Sequence, residues 1–261
     1  YIFIFHKLLQ RIKMKNLFFI CFISLLLYSC SEENNELSKL TKAKVLINHI
    51  FNNEMMLFND GIFVNESGDS LSILKVRYIL SNISLTKTNG KVLKFDSLYA
   101  FIDAARSINT FEIPNIEKGS YSKISFDIGV DSIMNHSDPS LLPASHPLSL
   151  INHNLHWGWI DGYIFLSIEG YLHFEEKQQS FTYHFGLDKS KRRVSVEGDI
   201  IISDNSQINI DFDVSSLFKT PNTINQFDEV YITHSTNDND LSKRMMDNTF
   251  DAFSFQGMLN W

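Results

Sequence analysis

Apolar and polar residues alternate along most of this chain, and the runs are short and closed by turn residues. Segments rich in Val, Ile, Phe and Tyr recur at 44–51, 70–85, 91–103, 110–114, 121–130, 163–174, 180–187, 193–203 and 207–214. Alternation of that kind places one face of a strand in a core and the other toward water. Turn signals separate the runs at Asn59-Asp60-Gly61, Gly68-Asp69, Asn89-Gly90 and Lys118-Gly119. Asn89-Gly90 marks a hairpin, because both residues accept a positive φ. Helical spacing occurs once, over 240–253, where Leu241, Met245, Met246, Thr249, Phe250 and Phe253 share a face behind an Asp240 N-cap. The pattern predicts an all-β fold: an antiparallel, Greek-key-like β-sandwich closed by a C-terminal helix. One segment, 131–154, has no alternation and carries three of the five prolines together with His136, His146 and His153. A long irregular loop of this kind is more often functional than not.

The first residues read differently. Residues 1–13 precede Met14 and are expected to lie upstream of the true start. Met14 begins a basic head, followed by the apolar run Leu17–Tyr28 and then Leu27-Tyr28-Ser29-Cys30, which has the form of a secretory signal. The last four residues resemble a bacterial lipobox, so 14–29 is expected to be a lipoprotein signal peptide and Cys30 the lipidated residue. Residues 30–41 form an acidic tether similar to a surface-export signal, and 42–261 form a single domain. The expected address is the outer membrane, lipid-anchored, facing the periplasm or the cell surface.

That address restricts the chemistry. With Cys21 removed and Cys30 acylated, the mature domain has no cysteine, which excludes a disulfide framework and a thiolate metal site. The net charge of −7 without a Lys/Arg stripe argues against nucleic acid. The one basic run, Lys189–Arg193, is expected to be a solvated hairpin turn. No serine-nucleophile elbow, zinc-protease helix, phosphate loop or dinucleotide fingerprint is present, and the chain is not expected to be an enzyme. The stretch Asn237–Asp240 lacks the glycine and the final glutamate of a calcium loop and is expected to cap the helix.

The segments Tyr78–Asp103, Gly119–Ser132, Trp157–Gly170 and Phe181–Gly186 occur in that order, with 234–253 after them. Together they closely resemble the MbnP-like family, and within it the lipoprotein branch of Bacteroidetes. The resemblance covers the chain from about Lys44 to Phe253. It implies a β-sandwich in the periplasm or at the surface that handles copper, Cu(I) or Cu(II), held by histidines near a tryptophan that is oxidised to kynurenine. The partner implied is a dihaem enzyme of the cytochrome peroxidase type; for a copper carrier at that address an outer-membrane receptor is a further expected partner.

Strand parity ranks the candidate ligands. His184 shares a face with Thr182 and Gly186, opposite Phe181, Tyr183 and Phe185, and is the first candidate. His49 shares parity with Val45, Ile47 and Phe51, and His234 with Val230 and Ile232, so both are expected to point inward. An inward imidazole needs a partner, and a metal, a carboxylate or a carbonyl would each serve. Glu169 is a candidate to orient a ligating ring. His136, His153 and His156 form a second cluster around the long loop, able to hold metal loosely or to be solvent-facing. Trp157 and Trp159 fall on one side of an extended segment continuing through Tyr163 and Phe165, as packing, as residues open to oxidation, or as a sugar-stacking surface. Met55 and Met56 could add a thioether, though core filling is their ordinary role. A copper carrier is therefore expected. The alternatives are a glycan- or peptide-binding lipoprotein without metal and a structural accessory protein.

Overall fold

In the computed structural model, residues 39–158, 160–235 and 240–260 are described. Cys30 and the signal segment, Trp159, and the stretch 236–239 lie outside them. From Lys42 onward the chain forms one compact unit.

Two sheets build the sandwich. The smaller is ordered β14–β12–β1–β2, from Phe253–Asn260, Ser206–Asp213, Leu40–Phe51 and Glu54–Met55, with β7 (Thr110–Glu117) also on β1. The larger is ordered β11–β8–β4–β9–β10–β13, from Arg192–Ile202, Gly119–Ile128, Ser70–Lys87, Ile164–His173, Gln178–Gly186 and Ile232–Thr233. Short strands β3 (Phe63–Val64), β5 (Val92–Phe95) and β6 (Ala100–Asp103) pair along β4. The all-β sandwich expected from the alternation is present, with two additions. β1 pairs with β12 and β10 with β13 in parallel, so the sheets are mixed. The 240–253 helix is shorter than its apolar face suggested: α1, Leu241–Asp247, runs into a 3-10 turn and then into β14. Asp240 has a left-handed backbone and its side chain caps nothing.

Inward residues of both sheets form one core. An aromatic cluster ties the sheets together: Phe212 and Phe253 stack at 4.3 Å, and Tyr78 and Phe126 meet them edge-on from the larger sheet. The 18-residue strand β4 supplies much of this core while changing parity twice. Leu71 and Ile73 are buried, then Val76, Tyr78 and Leu80, then Ile83 and Leu85. The changes fall at register shifts against its neighbours, between Ile73 and Lys75 on β9 and between Ser81 and Ser84 on β8. Leu74 is the extra residue of the first bulge. At the second, Asn82 takes a positive φ that asparagine tolerates.

The bulge at Leu74 puts Lys75, Arg77 and Ile79 on the outer face of the larger sheet. At one end of that face the long loop folds back over the sheet. Leu148, Leu155, Val130 and Tyr163 pack there against Ile79 and Phe165 as a second, smaller core. Beyond its margin the outer face turns polar, and the candidate site lies there.

Candidate functional site

Three central strands place the site by register. Across β4, β9 and β10, Arg77 pairs with Ser167 and Ser167 with His184; in the next row Lys75 pairs with Glu169 and Glu169 with Thr182. All of these outward side chains sit on one pleated surface. Glu169 is the hub. Its Oε1 accepts from Arg77 Nη2 at 2.7 Å and lies 3.1 Å from His184 Nε2, and its Oε2 accepts from Lys75 Nζ at 2.7 Å. Hydrogen bonding to His184, with the two cations behind it, holds the Glu169 carboxyl far below the usual carboxylate range against the opposing effect of its burial. An ionised Glu169 accepts the Nε2 proton of His184. The other ring nitrogen, Nδ1, is then left buried and without a hydrogen-bond partner.

The parallel pairing of β10 with β13 brings up the second imidazole. Thr182 aligns with Ile232 and Tyr183 with Thr233, so the next step along both strands sets His184 beside His234. Their ring centroids are 5.5 Å apart. Ser235 fastens this end: its Oγ accepts from Gly186 N at 3.0 Å and donates to the His184 carbonyl at 3.3 Å. Burial, then the neighbouring His184, lowers the His234 pKa, which favours the neutral, metal-competent ring. Trp157 closes the cluster, with its centroid 5.5 Å from His234 in an edge-on arrangement and 6.5 Å from His184. Gly186 makes room for it. A Cβ at that position would come within 2.6 Å of the indole and 2.7 Å of the Tyr163 carbonyl.

His234 is outward, not inward as its parity with Val230 suggested. Thr233 is the fully buried residue of β13, while Ile232 is 61 % exposed. His49 does point inward, but into the core between the sheets. Its Nε2 lies 3.0 Å from the Tyr78 hydroxyl, and its ring meets Phe212. Tyr78 and Arg77 are successive residues on opposite faces of β4, so a sheet separates His49 from His184 and the three candidate ligands His49, His184 and His234 do not converge. Burial lowers the His49 pKa to about 4, and Tyr78 is the partner its imidazole needs.

The loop histidines are not a cluster either. Three of them use Nδ1 to accept the backbone N–H two residues on: His146 from Leu148, His153 from Leu155 and His156 from Gly158. They act as turn formers, in the manner of asparagine and aspartate side chains that bond their own backbone. His153 also donates through Nε2 to the Pro147 carbonyl at 3.0 Å, and burial lowers its pKa to about 4. His156 lies edge-on to Tyr163, its Nε2 buried without a partner. His136 is half exposed and 3.6 Å from Asp188. Trp157 and Gly158 do not continue β9 as extended strand: Trp157 N bonds the Gly162 carbonyl, and Gly158 and Gly162 have positive φ. Met56 is buried in the core and Met55 is exposed on β2. The arginines of the basic run are not turn residues but sit on β11, paired with Asp247 and Asp127.

Sequence reasoning missed Arg77. An arginine inside an apolar strand was the available signal, but the bulge that turns it outward was not read. Among the described residues, no group of three or more His, Cys, Asp or Glu side chains is spaced to hold a metal ion. The donor set here is a pair of imidazoles, one oriented by a carboxylate, beside an indole.

These features define an all-β sandwich with a histidine pair on the outer face of its larger sheet. The chain belongs to the MbnP family, whose model matches residues 41–238 and so spans Arg77, Trp157, Glu169, His184 and His234. Its structure is similar to that of MbnP from Methylosinus trichosporium, with a TM-score of 0.51 and 13 % identity, covering 71 % of this chain and 80 % of that one. At that identity the likeness concerns the fold. No curated protein matches the chain by sequence.

Proposed function

We propose that the chain is a copper-binding lipoprotein of the bacterial outer envelope, not an enzyme, that holds copper between His184 and His234. The observation that carries the reading is the state of His184. Its Nε2 is held by Glu169 and its Nδ1 is buried without a partner, next to a second imidazole. A carboxylate that takes one ring N–H and leaves the other nitrogen as a lone-pair donor is the usual support of a metal-bound histidine. Imidazole nitrogens without thiolates suit copper, with zinc as competitor. A two-nitrogen set favours Cu(I), which accepts low coordination numbers. In this reading Cys30 anchors the protein to the outer membrane, and copper passes to a membrane receptor or a dihaem enzyme. Trp157, as the aromatic beside the pair, is the residue open to oxidation. A sugar-stacking role draws less support, because Trp157 is packed over Gly186 and edge-on to His234.

The test is copper titration against a chromophoric chelator. Replacing either His184 or His234 with alanine is expected to weaken binding by ten-fold or more on the scale of lost metal ligands and their supports. His49→Ala and His153→Ala, where folded, should bind like the wild type. Wild-type affinity equal to that of the double His184/His234 variant would rule the site out.

A further inference from the structure

Beside the histidine pair, the same outer face carries a pocket of about 430 Å³, within the range of small-molecule sites. Its floor is β4 at the bulge, with Leu74, Lys75 and Arg77. Phe101 of β6, Arg106 of the following 3-10 turn and His153 of the long loop rise beside it. Phe101 and His153 lie ring against ring, 4.7 Å between centroids and tilted by 32°, giving the pocket an aromatic wall.

Two guanidinium groups give the pocket its character. Arg77 spends Nη2 on Glu169 and Ser167, but its Nε is buried with no partner. An unpaired N–H on a buried cation is costly; Nε is closed to solvent where it stands, so a ligand acceptor would remove that cost through a shift of the Arg77 side chain toward the pocket it lines. Arg106 is exposed, and among the described residues its side chain forms no ion pair; only its backbone N–H is used, by Asp103. Asp103, the one carboxylate lining the pocket, is itself buried and serves that turn as its cap. Lys75 is committed to Glu169. The free charged capacity is therefore cationic, beside the neutral amides of Asn59, Asn152 and Asn154, and carboxylates meet guanidinium groups in a planar, two-point fashion. The volume equals roughly a dozen water molecules, too large for a single inorganic anion. We propose that this pocket binds a small carboxylate-bearing organic molecule, its carboxylate held by Arg77 and Arg106 and its body against the Phe101–His153 wall.

Arg77 also links the two sites, since the Glu169 oxygen it bonds is the one that holds His184. Occupancy of the pocket and of the histidine pair are thus coupled, and by linkage each changes the other's affinity by the same factor. This coupling rests on the copper reading; binding in the pocket does not.

The test uses the full chain, stripped of metal, titrated calorimetrically with succinate, glutamate and citrate. Saturable binding of at least one is expected. Arg106→Gln, an exposed change whose fold is checked by circular dichroism, should weaken it about ten-fold, the value of one charge-assisted hydrogen bond. His234→Ala should leave it unchanged, so failure of the copper site and failure of the pocket are separable. Inorganic phosphate should bind more weakly than the best carboxylate. Absence of saturable binding by all three acids, an unchanged affinity in Arg106→Gln, or phosphate binding as tightly as the acids would overturn the proposal.

Discussion

Replacing Glu169 with glutamine removes one charge and little volume, and the geometry sets the size of the effect. The carboxylate faces Lys75, Arg77 and His184. Lys75 is half exposed and its pair contributes little. Arg77 is only 15 % exposed and is 2.7 Å away. An exposed pair is worth under about 1 kcal/mol, and breaking a fully buried one costs about 3–5 kcal/mol. For this partly buried pair, in which an amide oxygen could still accept from Arg77 but without its charge, we expect a loss of about 2 kcal/mol at neutral pH. The pH dependence identifies the cause. The folded-state carboxyl titrates far below the usual range, whereas a free glutamate titrates near about 4.3. Glu169 therefore contributes fully above that value, and its contribution fades as pH falls toward the folded pKa. Urea unfolding of both proteins from pH 8 to pH 3 should show a constant gap that begins to close below about pH 4. Copper affinity should fall about ten- to hundred-fold, since His184 loses its charged support. A gap that is absent, or that stays constant through the acid limb, would refute the electrostatic account of this hub.

Other outcomes follow from individual residues. Gly186→Ala should cost about 1–3 kcal/mol by overpacking and shift Trp157 fluorescence, because the new Cβ meets both the indole and a fixed carbonyl. His49 and His153 have folded-state pKa values lowered to about 4, so the folded protein binds fewer protons than the unfolded one between about pH 6.5 and 4. Acidification through that window should therefore destabilise the wild type, by up to about 3 kcal/mol per group. His49→Phe should remove the His49 share of that slope, as thermal melts at several pH values would show, while leaving copper binding intact.

The strands were legible because their alternation is strong, and so was the outward parity of His184. Reading stopped where tertiary structure decides. Parity put His49 on a buried face, but a core imidazole bonded to Tyr78 and a metal ligand have the same sequence signature. His234 was misread because β13 is two residues long, too short for parity to be counted. The pairing of His184 with His234 depends on a parallel junction between segments fifty positions apart, 234 less 184, which no local pattern encodes. The loop histidines looked like ligands for want of any signal that they bond their own backbone. β14 was hidden because the helical spacing runs up to Phe253, where that strand begins.

The bulge at Leu74 makes chain length, rather than residue identity, the determinant of which side of the sheet each β4 residue serves. Deleting Leu74 would leave regular alternation with Arg77 still outward and Tyr78 still inward, whereas deleting Val76 would exchange the environments of Arg77 and Tyr78, burying a guanidinium among the aromatics and lifting a core phenol into water. Outside the bulge residue itself, the strand should accordingly accept many substitutions and hardly any one-residue insertion or deletion. In divergent relatives, a one-residue gap between Lys75 and Arg77 would say more about a lost site than any exchanged histidine.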